Sequence, residues 1–418
     1  MPRRYWIETL GCPKNQVDSD KLVGTLVADG YRAAASPGQA DVVVVNTCAF
    51  IEEARQESID VILQLSGGRK SGAEVVVTGC LAERHGDELA AAIPEVSVRG
   101  FGQSVAIGTP VELSPRRRTP DFDLLNLPRP RSPRPWAYVK IAEGCDRACG
   151  FCAIPSFRGP QRSRSIDTIL REVDELDAKE IVLVAQDLAS YGRDQGQGKK
   201  SLVPLVRAVA ARVERVRLLY LYPSELTATL IDTICDTGVP YFDLSLQHVS
   251  APHLRRMKRW GNGVRFLERI AAIRTREPDA AFRSNFIVGY PGETEADHDE
   301  LLAFVTEAQL DWCGFFAYSQ EAGTYAATLT NDVDAELVAD RLAELRDLQD
   351  AITAARRDEM IGREVEVLVD EPGVGRSHRE APEIDGVIVV PEHLPAGTFA
   401  RVRVVGALGP DLEAEAVG

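Results

Sequence analysis

Long apolar runs are missing from this chain of 418 residues: no stretch of valine, leucine and isoleucine exceeds four residues, as at Val42–Val45. A helix that crosses a bilayer needs about 20 apolar residues, so no membrane span is expected. Met1-Pro2-Arg3-Arg4-Tyr5 runs straight into a strand-like segment, which argues against a secretory signal. An excess of positive charge is missing too. With 48 Lys and Arg against 63 Asp and Glu the net charge is −15, which excludes a protein that grips nucleic acid by bulk electrostatics and suits a basic partner better. Internal repeats are absent. The eight cysteines, without a secretory leader, point to a reducing, cytoplasmic setting in which thiols act as ligands or nucleophiles.

The length favours two to three domains. In residues 1–108 apolar strands alternate with helical patterns: Tyr5–Leu10, Asp41–Asn46 and Val75–Thr78 each precede a helix, the signature of an open parallel α/β sheet. Residues 109–135 lose the pattern and mix prolines 110, 115, 120, 128, 130, 133 and 135 with arginines 116, 117, 118, 129, 131 and 134, an extended linker that is either a solvated spacer or a contact for an acidic surface. Residues 136–357 resume the alternation with six strands, Ala137–Ala142, Glu180–Ala185, Arg217–Leu221, Tyr241–Leu246, Phe282–Val288 and Gly314–Ser319, which make a partial (βα)6 barrel of TIM type, two units short of closure. A helix over about 335–361 follows. Residues 358–418 turn to period two, with five short strands that predict a small antiparallel β-barrel.

The chemistry rests on two cysteine triplets. Cys145, Cys149 and Cys152 form Cys-x3-Cys-x2-Cys directly after the first barrel strand, with Phe151 before the last thiol. Closed zinc sites and ferredoxin clusters need four ligands, and a fourth local cysteine is missing. Three thiolates on a 4Fe–4S cluster leave one iron open to chelate S-adenosylmethionine. Cys12, Cys48 and Cys80 are far apart in sequence, but each closes a strand: Leu10-Gly11-Cys12, Asn46-Thr47-Cys48 and Thr78-Gly79-Cys80. Loops at the carboxyl ends of parallel strands converge on one edge, so these three thiols can meet. Cys235 and Cys313 have no such placement and are expected in the core. Gln186-Asp187 after the second barrel strand, and residues 285–294 with Gly289-Tyr290-Pro291-Gly292-Glu293, stand where S-adenosylmethionine would rest; turn chemistry alone also accounts for the latter glycines. His248 reads as a structural hydrogen-bonder, and no residue takes an acid–base role.

Together these motifs resemble the radical S-adenosylmethionine methylthiotransferase family over essentially the whole chain. The resemblance implies two 4Fe–4S clusters, one on Cys145, Cys149 and Cys152, the other, auxiliary, on Cys12, Cys48 and Cys80. Phe151, Gln186 and Asp187 would bind S-adenosylmethionine, which serves as both radical source and methyl donor, and the terminal barrel would be a TRAM domain. Cys12-Pro13-Lys14-Asn15, Cys152-Ala153-Ile154-Pro155, Tyr222-Pro223, Leu246-Gln247-His248 and Ala381-Pro382-Glu383-Ile384-Asp385-Gly386 near Arg376-Ser377 are similar to the branch that modifies ribosomal protein S-twelve. The product would be an aspartate methylthiolated at its β-carbon, after hydrogen abstraction by a 5′-deoxyadenosyl radical. Residues 358–418 hold 13 acidic and 5 basic residues, a net of −8, the wrong sign for phosphate and the right one for a basic ribosomal protein. The resemblance further implies an electron donor such as flavodoxin or ferredoxin and a sulfur donor of unspecified identity. A transfer RNA methylthiotransferase and a non-catalytic iron–sulfur electron carrier are the rival readings.

Overall fold

The computed structural model describes residues 2–105, 123–196, 201–330 and 333–417. Its N-terminal sheet has five strands, β1 (Arg4–Thr9), β2 (Arg32–Ala33), β3 (Val42–Thr47), β4 (Glu74–Gly79) and β5 (Val96–Val98), all parallel in the order β2-β1-β3-β4-β5. β3 is buried along its whole length, which is why it reads as an unbroken valine run rather than an alternation. β2 and β5 are too short to carry a periodic signal, so only the other three strands are legible in the sequence. The helices Pro13–Ala28, Glu52–Gly68 and Cys80–Ala92 follow β1, β3 and β4.

The middle of the chain opens with β6 (Trp136–Lys140). The antiparallel ribbon β7 (Ala142–Glu143) and β8 (Arg162–Ser163) then ties down the two ends of the loop between them. β9 (Glu180–Val184), β10 (Arg215–Leu218), β11 (Tyr241–Gln247), β12 (Ala281–Val288) and β13 (Trp312–Ala317) complete two parallel sheets, β6-β9-β10 and β11-β12-β13. A single bridge, Leu221 to Leu244, joins them, so the six strands form one open barrel, as expected. The helix expected over 335–361 runs Ala335–Asp358 and packs on β13.

The last five strands, β14 (Glu364–Glu371), β15 (Val374–Arg376), β16 (Ile388–Val389), β17 (Phe399–Leu408) and β18 (Asp411–Ala416), close into a barrel. One pairing departs from the antiparallel expectation: β16 runs parallel to β18, because the chain between β15 and β16 detours away from the small barrel. That detour plugs the amino-terminal end of the large barrel. Ala381 joins a buried cluster with Trp136, Tyr138, Tyr241 and Trp312. The Tyr138 hydroxyl donates to the Pro382 carbonyl at 2.7 Å, the Trp312 indole to the Arg379 carbonyl at 2.8 Å and the Tyr241 hydroxyl to Asp385 at 2.6 Å, while Arg283 pairs with Asp385 at 2.5 Å. The barrel is thus stoppered at one end and open at the end where its loops carry the cysteines.

The plug corrects the reading of the terminal acidity as a free surface. Asp385 and Glu380 have side chains shut off from solvent and are paired with Arg283 and Arg357, and Asp370 pairs with Arg376. Part of the acidity therefore docks the small barrel; Glu371, Glu392, Glu413 and Glu415 remain exposed. The linker also differs from expectation. Residues 109–122 lie outside the described residues, but 123–135 are packed: Leu125 is buried, and Arg129 is wedged between Asp20 and Glu172, 2.8 Å from each. This stretch fastens the helix Pro13–Ala28 against the barrel, and Val17 of that helix enters the cluster inside the barrel. Arg131 and Arg134 pair with Asp177 and Glu383 at the surface.

Glu180, fully buried, holds Arg217 at 2.8 Å and Arg376 at 3.0 Å and so ties β9 to the small barrel. Burial pushes its pKa up, but the guanidiniums of Arg376, Arg217 and Arg215 outweigh this and bring it down to about 2. A depressed carboxylate contributes stability above its unfolded pKa of 4.5 that is lost as pH falls toward 2. Glu180→Gln, which leaves Arg217 without its buried counter-ion and Arg376 with Asp370 alone, should destabilise the fold by about 3–5 kcal/mol at neutral pH. Denaturant titration should also show a shallower loss of stability between pH 4.5 and 2 than in the wild-type chain; an unchanged slope would show that Glu180 is not the titrating anchor.

Candidate active site

Both triplets line one cavity of about 400 Å3 at the carboxyl ends of the strands. Cys12 and Cys80 start helices and Cys48 follows β3, so the three thiols come off adjacent strand ends. Two glycines make the approach feasible. A β-carbon on Gly11 would sit 2.8 Å from the Cys48 β-carbon, and one on Gly79 would sit 2.5 Å from the Thr47 backbone; both residues have positive φ, +95° and +92°. Asn15 stitches the loops together, its side-chain amide donating to the Leu10 carbonyl at 2.8 Å and the Thr47 carbonyl at 3.1 Å.

The barrel triplet lies in the loop between β7 and β8. Gly150 N–H donates to the Met257 carbonyl at 2.8 Å, and the Gly150 carbonyl accepts from Ala326 N–H at 2.7 Å, pinning the loop from both sides. The thiols receive donors of their own: Arg147 N–H to Cys145 Sγ and the Arg259 guanidinium to Cys149 Sγ, each at 3.4 Å.

Within each set, burial and neighbouring thiols disfavour ionisation of some members. Burial, with the neighbouring Cys12 and Cys80 thiols adding to it, pushes Cys48 up to about 12. Burial pushes Cys152 up to about 12, against its backbone hydrogen bond, with Cys149 and Cys145 adding to the rise. Cys12 goes the other way. Burial opposes its ionisation, but Lys14 and Arg158 together lower its pKa.

Neither cysteine triplet is as tight as a lone tetrahedral ion requires. One tetrahedral ion with bonds of about 2.3 Å holds thiolates roughly 3.8 Å apart. Among the described residues only His248, His253 and Glu293 bring three ligand-type atoms within 4.8 Å of one another; neither cysteine triplet is so tight. That histidine set is a hydrogen-bonded prop. Ser250 N–H donates to His248 Nδ1 at 3.1 Å, the Arg256 guanidinium to His253 Nδ1 at 2.9 Å, and Glu293 accepts from Arg341 at 3.1 Å. An arginine only donates, so His253 carries its proton on Nε2, the wrong tautomer for a ligand on that side. Burial pushes the pKa of His253 down to about 4 and that of His248 well below its usual value, so both rings are neutral.

Phe151, Gln186 and Asp187 all face the cavity. Gln186 Oε1, Asp187 Oδ1, Asn285 Oδ1 and the Tyr318 hydroxyl are buried polar atoms without a hydrogen-bond partner among the described residues. Such atoms are rare inside proteins and mark a place for a polar ligand. Cys235 and Cys313 pack against the main core and do not line the cavity.

Sequence reasoning missed the group that joins the two triplets. Arg158, its side chain shut off from solvent, donates to Cys80 Sγ at 3.1 Å, to Asn15 Oδ1 at 2.8 Å and to Glu143 at 2.8 Å, with Asp18 at 3.3 Å. Glu143 lies two residues before Cys145 and also accepts from Lys140 at 2.6 Å and Gln186 at 2.7 Å; Lys140 in turn pairs with Asp18. Burial opposes ionisation of Glu143, yet Arg158 and Lys140 hold its carboxyl far below the usual range. Two acids and two cations thus lock the N-terminal sheet to the barrel at the cavity floor. Only the nearness of Arg158 to Cys152 could have flagged it. Tyr220, which lines the cavity with φ of +64°, was also missed, and Gln247, at φ +72°, had stood only as a letter of the Leu246-Gln247-His248 motif.

Residues 4–100 match the uncharacterized protein family UPF0004, residues 139–305 the radical SAM superfamily and residues 361–417 the TRAM domain. Over 99% of its length the chain is 42% identical to a ribosomal protein uS12 methylthiotransferase RimO of Streptomyces avermitilis, of which it covers 97%. The RimO of Moorella thermoacetica is also 42% identical, over 96% of each chain. Among solved structures, the cobalamin-dependent S-adenosylmethionine radical enzyme OxsB aligns with 84% of this chain and 56% of its own, at 11% identity and a TM-score of 0.43. By its near full-length identity to these relatives, the chain belongs to the family of ribosomal protein uS12 methylthiotransferases.

Proposed function

We propose that this protein adds a methylthio group to the β-carbon of an aspartate in ribosomal protein uS12, by radical S-adenosylmethionine chemistry. One observation carries the reading: thiols from two separate parts of the fold open onto a single cavity, as insertion of sulfur at a radical centre requires. Cys145, Cys149 and Cys152 would hold one 4Fe–4S cluster, and Cys12, Cys48 and Cys80 the second. When bound, these clusters and S-adenosylmethionine supply a carbon radical, a sulfur atom and a methyl group.

The chain's own residues contribute position and exclusion. Gln186 and Asp187 present unpaired oxygens to the polar parts of S-adenosylmethionine, and Phe151 offers an apolar wall. Asp187 is oriented by Arg147 at 2.6 Å and Ser190 at 2.5 Å, so its free oxygen faces the cavity in a fixed direction. Apolar side chains including Ile154, Phe157, Ile287 and Phe316 line the rest and keep water from a reactive radical. A β-carbon hydrogen has little acidity, so no general base is needed, and none of the cavity residues is arranged as one.

The division of labour follows 1–108 for the auxiliary site, 136–357 for radical generation and 358–418 for substrate contact, joined by 109–135. No helix among the described residues is long and apolar enough to cross a membrane. The cytoplasm, where ribosomal proteins and electron donors such as flavodoxin or ferredoxin are found, is the fitting location.

The substrate is tested by incubating reduced, reconstituted protein with S-adenosylmethionine and sulfide and either uS12 or transfer RNA, followed by mass spectrometry. Methylthiolated uS12 is expected; a modified nucleoside beside untouched uS12 would overturn the reading. The two sites should also separate. Cys48→Ala is expected to lower bound iron by about half, the share of one cluster in two, and to retain cleavage of S-adenosylmethionine, whereas Cys149→Ala abolishes cleavage. Loss of cleavage in both variants would contradict independent sites.

A further inference from the structure

Resting on the uS12 reading, we infer that Lys14 is the specificity-determining residue that grips the carboxylate of the target aspartate. Four cationic side chains line the cavity: Lys14, Arg147, Arg158 and Arg259. Arg147 is committed to Asp187 and Glu225, and Arg158 to Glu143 and Asp18. Arg259 is spent on the Cys149 thiol and the Ser245 carbonyl and stacks on Tyr222. Lys14 alone of the four has neither an ion pair nor a side-chain hydrogen bond among the described residues. Its ammonium rests 3.3 Å from the centre of the Tyr220 ring, near enough to Cys12 to lower the pKa of that thiol.

The mount is unusually firm. Tyr220 is a non-glycine residue at φ +64°, a conformation that surrounding contacts must enforce. It is held by its backbone N–H, which donates to Asp243 at 2.8 Å. Asp243 feels the charge of Lys14, but it is buried and engaged by that N–H. The ring fixes the ammonium by cation–π attraction and leaves its three donors free for an anion. Against an apolar wall, a single cation without a counter-ion selects a ligand that brings one.

In the proposed reaction the substrate carries that anion one bond from the reacting atom, because the β-carboxylate of aspartate is attached to the carbon that takes the sulfur. A carboxylate held by Lys14, two residues from Cys12, presents that carbon beside the auxiliary triplet. A neutral base or an asparagine would cover the ammonium without bringing it a counter-charge, so the same contact that positions the substrate rejects its neutral analogues. The carboxylate of S-adenosylmethionine is the competing occupant. It is disfavoured because the ligand's place is at the other triplet, where Arg259 stands.

The test uses reconstituted full-length protein with wild-type uS12 and with uS12 whose target aspartate is changed to asparagine. In the wild-type enzyme the inhibition constant of the asparagine protein should exceed KM for uS12 by about tenfold or more, the scale of a charge-assisted hydrogen bond. Lys14→Met should raise KM for uS12 to meet that inhibition constant, leave the inhibition constant and KM for S-adenosylmethionine unchanged, and keep the bound iron; Lys14→Arg should restore most of the discrimination. Wild-type discrimination in Lys14→Met, a rise confined to KM for S-adenosylmethionine, or loss of iron would each overturn the assignment. Failure of the wild-type enzyme to modify uS12 at all would instead overturn the substrate reading beneath it.

Discussion

The Arg158 guanidinium is where the two halves of the site become one. Its donors reach a thiol and an amide on the N-terminal sheet, and a carboxylate beside the barrel triplet. A buried charge is tolerable only when its donors are satisfied, and Arg158 meets that requirement with groups from both units at once. The positions of Cys80 and Cys145 are therefore not independent: moving the N-terminal sheet away would strand Asp18 and leave Lys140 and Arg158 to share Glu143 alone. The shared cavity follows from this electrostatic constraint more than from apolar contact.

The opposite end of the barrel obeys a similar logic with different parts. Six strands leave an open barrel that must be filled, and the helix Pro13–Ala28 and the 376–386 detour enter it from the side and from below. Buried pairs, Glu180 with Arg217 and Arg376, and Asp385 with Arg283, fix the register of the plug. The terminal barrel is thereby anchored far from the thiols, leaving its outer strands free to meet a partner. Rigidity at the stoppered end lets the loops at the other end carry the chemistry.

Most of the architecture was legible because it is written in periodicity. The valines of β3, the six barrel strands and the period-two tail announce themselves, and strand-closing cysteines mark the edge where the ligands gather. What escaped detection depends on partners distant in sequence. Arg158 meets Cys80 and Asp18 across more than seventy residues of chain, and β2 and β5 hold two and three residues each. The acidity of the tail misled for the same reason: a charge count cannot tell Asp385, sealed against Arg283, from Glu413 in solvent. The Ala381–Gly386 motif, read as a mark of the uS12 branch, is in addition a stopper. Lys14 was visible as a letter in Cys12-Pro13-Lys14-Asn15, but its lack of a counter-ion is a property of the assembled cavity.

The central claim, that both triplets hold clusters facing one cavity, is tested most directly by electron paramagnetic resonance of the reconstituted, reduced protein. Two clusters across one small cavity should couple, giving a broadened spectrum and accelerated spin relaxation that revert to the signal of one isolated cluster when either triplet is disabled. A wild-type spectrum equal to the sum of the two single-cluster spectra, with unchanged relaxation, would contradict the account.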